Sequence, residues 1–151
     1  MTVKGVKAFS PMKVVNINGF RINIIGLSSE KTYQFYEQES VEGLTVEDPS
    51  VRLQAFLNHF GHNADFIILI SHLGYETDKL FAAKFPEIGL IIGGHSQNKL
   101  DAVEKIGQTL IVQAGSDGAY LGRVDLEFGP DKKMTGYSDK LISLRNDPIL
   151  K

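Results

Sequence analysis

Two short apolar runs, Phe66-Ile67-Ile68-Leu69-Ile70 and Leu90-Ile91-Ile92, constrain the fold more than any other feature of the chain. Both are rich in β-branched side chains, too short for buried helices, and apolar at odd and even positions alike. That is the pattern of parallel strands covered by helices. Each run stops in a polar, glycine-containing turn with one histidine: Ser71-His72-Leu73-Gly74 after the first, Gly93-Gly94-His95-Ser96-Gln97 after the second. Between them, Thr77 or Asp78 is placed to cap a helix with Leu80, Phe81 and Phe85 on its buried side, and Pro86 stops it. The expected unit is strand, helix, strand, with both histidines at strand ends.

The flanking sequence extends this unit. Val14 to Ile17 and Phe20 to Leu27 surround Asn18-Gly19, a dipeptide suited to the positive φ angles of a type I′ turn, so a hairpin is expected. Ser28 to Glu47 has no clean period and reads as a long, partly irregular connection. Asp48-Pro49 reads as an N-cap and first helical residue, with Val51, Phe56, Leu57 and Phe60 recurring near helical spacing until Gly61. Beyond the second apolar run the chain is β-rich, with strands expected at Leu110 to Gln113, Tyr120 to Phe128 and Met134 to Leu144. The fold class is α/β followed by antiparallel strands. No repeat or linker divides the chain, and Asp147-Pro148 is the one place where a boundary is expected.

Composition narrows the chemistry. A length of 151 residues suits one domain. Sixteen basic and eighteen acidic side chains leave a charge of −2 without a like-charge block, so no nucleic-acid clamp is expected. With no cysteine there is no disulfide, thiolate metal site or cysteine nucleophile, and any metal must use nitrogen and oxygen ligands. No apolar run is long enough for a signal h-region or a membrane span. As written, the chain is expected to be cytoplasmic and without a membrane partner.

In open α/β sheets, ligands bind beyond the carboxyl ends of the strands, where loops are held by a rigid sheet. Two histidines at neighbouring strand ends can converge there. Neutral imidazole ligates Zn²⁺, Mn²⁺ or Fe, and Gln97 can add a carbonyl oxygen. Taken singly, His72 is an ordinary turn residue; the two motifs together make the case for a metal. His59 and His62, at i, i+3 spacing, lie at a helix end, where solvation or C-capping is the ordinary role. Asp117 sits in a Gly/Ser/Asp cluster that reads first as a turn. Neither a dinucleotide-binding G-x-G-x-x-G nor a phosphate-binding P-loop occurs, and no nucleophile elbow surrounds Ser71 or Ser96.

Ser71-His72-Leu73-Gly74, then Asp78 and Leu80, then Ile88-Gly-Leu-Ile-Ile-Gly-Gly-His-Ser-Gln97 resemble the second half of the calcineurin-like metallophosphoesterase domain of the 5′-nucleotidase family. Phe20 to Leu27 and Val112-Gln-Ala-Gly-Ser-Asp-Gly-Ala-Tyr-Leu-Gly-Arg-Val-Asp-Leu126 resemble further segments of that family, in the same order. The resemblance implies a four-layer α/β sandwich, here residues 1–151 as a single partial domain with a β-rich C-terminal part. It implies hydrolysis of phosphate esters such as nucleotides at two divalent ions (Zn, Mn, Co or Fe), with His72 and His95 ligating one metal and Gln97 the other. The family's earlier motifs, Asp-x-His, Gly-Asp and Gly-Asn-His-Asp/Glu, do not occur in this chain, nor does the nucleotidase C-terminal domain. The chain is therefore expected to need the missing N-terminal half, on a longer precursor or as a separate partner chain, for activity. The alternative is a non-catalytic truncated remnant with at most one weak metal site. An exported N-terminal half would make the location periplasmic or extracellular.

Overall fold

The computed structural model describes residues 10–29 and 47–144, together with the backbone of three two-residue strands, β1 (Thr2–Val3), β2 (Val6–Lys7) and β5 (Leu44–Thr45). Those three pair as a small antiparallel sheet in the order β2-β1-β5. Most of the expected irregular connection, and the Asp147-Pro148 boundary, lie outside the described residues.

The hairpin forms as expected. Asn18 and Gly19 adopt φ of 50° and 81° and join β3 (Met12–Ile17) to β4 (Phe20–Ser28), with Ile17 opposite Phe20. Asp48 caps α1 (Pro49–Phe60) by accepting from the backbone N–H groups of Ser50 and Val51 at 2.7 and 3.0 Å. The inward side of α1 is Leu53, Phe56 and Leu57, whereas Val51, expected inside, is 68% exposed. A 3-10 turn at Gly61–Asn63 leads into β6 (Phe66–His72), then α2 (Tyr75–Lys84), β7 (Leu90–Gly93), β8 (Glu104–Ile106) and β9 (Thr109–Val112). The chain ends in a long antiparallel pair, β10 (Tyr120–Phe128) and β11 (Met134–Ser143).

Helix α2 departs from the sequence reading in two ways. It starts at Tyr75 with Gly74 as N-cap, so Thr77 and Asp78 lie inside it rather than capping it. A turn-forming Gly74 at φ 95° starts the helix before either polar side chain is reached. Leu80, expected inside, is 69% exposed; Phe81 and Ala82 face the core instead.

The main sheet has six strands in the order β3-β4-β6-β7-β9-β8, of which β4, β6, β7 and β9 are parallel. Both helices pack on one face, where Leu53, Phe56 and Phe81 join the odd-numbered residues Ile67 and Leu69 of β6 in one core cluster. On the other face the even-numbered Phe66 and Ile68 meet β10 and β11, with the Phe128 ring 5.1 Å from Phe66 and 4.5 Å from Phe20. Gly89 is required there, because a β-carbon on it would fall 2.0 Å from the Phe66 ring.

The expectation that helices cover the apolar strands on both sides is thus corrected. Helices cover one face, and the β10–β11 pair covers part of the other. Ile70 and Ile92, paired in register near the carboxyl ends of β6 and β7, remain 44% and 40% exposed beyond it. A cavity of about 510 Å³ runs between this face and β10, lined by Ile68, Leu90, Val112 and Leu126 among others. The described residues therefore form three layers: helices, sheet and hairpin. A fourth layer is not among them. No helix among the described residues is long and apolar enough to cross a membrane.

Candidate metal centre

Strands β6 and β7 are parallel neighbours with Ser71 beside Gly93, so the turns that follow leave the sheet side by side. In the second turn the Ser96 N–H donates to Gly94 O at 2.8 Å across His95, which is held at φ 66°. A three-residue turn with positive φ at its centre is the rare, strained γ form, and at a non-glycine residue it marks a site to inspect for function. The glycines of both turns lie against the rings at ordinary van der Waals distance. A β-carbon on Gly94 would sit 3.5 Å from His72 Nδ1, and one on Gly74 3.5 Å from His95 Cδ2.

The outcome is a contact between the two imidazoles. His95 Nδ1 lies 3.3 Å from His72 Nε2, with ring centroids 4.9 Å apart and planes at 72°. In the free chain one ring nitrogen can donate and the other accept. The same separation is the spacing of two nitrogens on one tetrahedral ion, since Zn–N bonds of about 2.0–2.1 Å put neighbouring donors about 3.3–3.4 Å apart. By distance alone, the pair matches two ligands of a single ion. Among the described residues no group of three or more His, Asp or Glu side chains is gathered for a metal.

A polar network beneath the pair holds both turns. Gln113, 4% exposed at the end of β9, donates from Nε2 to Gly94 O at 2.7 Å. Its Oε1 accepts from the Asn98 N–H at 2.8 Å and from Ser96 Oγ at 3.3 Å. Ser96 Oγ in turn accepts from the Tyr75 N–H at 3.0 Å, tying the first residue of α2 to the His95 turn. On the other side, Ser71 Oγ donates to Asp78 Oδ1 and accepts from the Leu73 N–H at 3.2 Å. Asp78 is fully buried; burial pushes its carboxyl up to about 6, and the Ser71 hydrogen bond opposes that rise.

The structure thus brings His72 and His95 together. Gln97 is exposed two residues further along the same turn, at φ 57°, and makes no hydrogen bond to either ring among the described residues. His59 and His62 lie at the opposite end of β6, His59 edge-on to Phe60 at 4.7 Å and His62 Nε2 3.0 Å from Asn63 Nδ2. Asp117 is a turn residue whose Oδ2 accepts from Ser116 Oγ at 2.8 Å. Sequence reasoning missed the supporting roles of Gln113, Ser96 and Asp78. The signal for Gln113 was a polar residue directly after the apolar strand Leu110-Ile111-Val112.

No family model matches the chain. It is 28% identical over 155 residues to a 5′-nucleotidase of Vibrio cholerae, which covers 82% of this chain and 28% of that protein. It is also 28% identical over 129 residues to YunD, an uncharacterised metallophosphoesterase of Bacillus subtilis, covering 85% of this chain and 27% of that one. Among solved structures, a putative 5′-nucleotidase from Staphylococcus aureus superposes with a TM-score of 0.81 at 20% identity, over 99% of this chain and 32% of that one. The chain is related to the 5′-nucleotidases. Its mixed α/β sheet with few helices is a fold found among 5′-nucleotidase structures, and it spans just over a quarter of the length of the two curated relatives.

Proposed function

We propose that the chain is the second half of a 5′-nucleotidase-like metallophosphoesterase catalytic domain and contributes one pair of metal ligands to it. The observation that carries this reading is the 3.3 Å approach of His72 and His95 at the carboxyl ends of adjacent parallel strands. The metallophosphoesterase and 5′-nucleotidase names of its relatives add the reaction class, hydrolysis of phosphate esters such as nucleotides. His72 and His95 would hold one divalent ion, of the Zn, Mn, Co or Fe type, and Gln97 would reach a second. When bound, such ions lower the pKa of a shared water and neutralise charge on the attacked phosphoryl group. The chain's own contribution is to orient the two imidazoles through the Gly94, Ser96 and Gln113 hydrogen bonds. The bridging and remaining ligands would come from polypeptide matching other parts of the relatives, so the chain alone is inactive in this reading.

One observation favours a second reading, a non-catalytic remnant with at most one weak metal site: the described residues gather no third carboxylate or imidazole at the pair. Metal content of the purified chain after equilibration with Zn²⁺ and desalting tests both. The first reading expects one ion per chain, lost in His72→Ala/His95→Ala and kept in His59→Ala/His62→Ala. Retention of the ion by the His72/His95 variant would refute the ligand assignment, and an ion-free wild type would favour the remnant.

A further inference from the structure

Asp78 is the one fully buried acidic side chain among the described residues, and the proposed function gives it no part. Its Oδ1 accepts the hydroxyl of Ser71, the residue immediately before His72. Its Oδ2 has no hydrogen-bond partner among the described residues and lies so close to β7 that a β-carbon on Gly93 would fall 2.5 Å from it. One carboxyl group therefore touches both strand ends, one residue before the first histidine and two before the second. It comes from the first turn of α2, the helix whose leading N–H is bonded by Ser96 beside His95. An unpaired carboxyl oxygen in the interior is costly, and an apolar residue would fill the space without that cost. The carboxyl is explained by what it holds.

We propose that Asp78 is a positioning residue for the histidine pair, hydrogen-bonded to Ser71 Oγ before the His72 turn and packed against Gly93 before the His95 turn. The relevance to metal rests on the reading of the pair as ligands; the positioning itself does not. With Asp78 in place, the turns hold the rings at the 3.3 Å contact in which one nitrogen donates and the other accepts. Without it the β6–β7 pairing and the Gln113 and Ser96 hydrogen bonds remain, but the carboxyl contact is lost and the two rings leave their 3.3 Å contact part of the time.

The test uses the full-length chain, ¹⁵N-labelled, in two measurements: long-range ¹H–¹⁵N spectra of the imidazoles without metal, and titration with Co²⁺ alone. Asp78→Val/Ser71→Ala replaces both partners by apolar groups of similar size, which keeps the fold, and far-UV circular dichroism checks it. Asp78→Asn keeps an acceptor for Ser71 Oγ. The expected result is matching imidazole signals for His72 and His95 in wild type and Asp78→Asn, shifted and averaged signals in the double variant, and Co²⁺ affinity at least tenfold weaker there. A folded double variant with wild-type imidazole signals would overturn the proposal, as would an Asp78→Asn spectrum matching the double variant. Imidazole signals that change in the double variant while wild type binds no Co²⁺ would refute the metal reading and support positioning.

Discussion

His59 and His62 stand three residues apart, His72 and His95 twenty-three, yet the distant pair is the one that meets ring to ring. The near pair sits where α1 runs out, with Phe60 and Asn63 as neighbours. The distant pair sits where two parallel strands run out together, and sheet register brings its turns side by side. Proximity in sequence supplied only helix geometry; proximity in register supplied a shared site. The difference teaches that strand ends, with glycines and buried polar groups beneath them, convert separated residues into neighbours.

Removing one pair and then the other is the largest expected contrast. Zn²⁺ affinity should fall by at least a hundredfold in His72→Ala/His95→Ala and stay within about twofold of wild type in His59→Ala/His62→Ala, as competition with a chromophoric chelator would show. Equal losses would erase the distinction between the two ends. Next in size is the support beneath the distant pair. Gln113→Ala strips partners from Gly94 O and the Asn98 N–H, and should cost about 2–3 kcal/mol in urea unfolding while weakening metal binding as well.

Acidity sharpens the comparison further. Because burial raises Asp78 from 3.8 to about 6, the folded chain holds that proton more tightly than the unfolded chain does. Its contribution to stability is complete below about pH 4 and is lost as pH rises through about 6, by up to about 3 kcal/mol. Asp78→Asn should flatten urea-derived stability over that window, and an unchanged slope would remove Asp78 as its source. The smallest effect belongs to the end without the site. Asp48→Ala removes the α1 cap and should lower stability by about 1 kcal/mol, with Zn²⁺ affinity unchanged.

Elements with local signals were legible in the sequence: the Asn18-Gly19 hairpin, the Asp48-Pro49 helix start and the two apolar strands. What is set by packing was not. Leu80 and Val51 fit an apolar period but face outward, because Phe81 and Leu53 on neighbouring positions fill the core. Glu104-Lys105-Ile106 becomes an edge strand through pairing with β9, which its polar composition does not announce. The histidines were legible because each closes an apolar run beside glycine. Their contact, and the roles of Asp78 and Gln113, depend on atoms from α2, β9 and the turns meeting in space, and no spacing rule carries that.

His95 bears a further consequence. A backbone at φ 66° suits glycine better than any residue with a β-carbon, so His95→Gly would relax the turn while deleting the ring. Selection for thermal robustness alone would drift toward glycine there. A histidine at this position costs the turn folding stability that glycine would not, so a substitution chosen only to stabilise the turn would also remove the ring that meets His72.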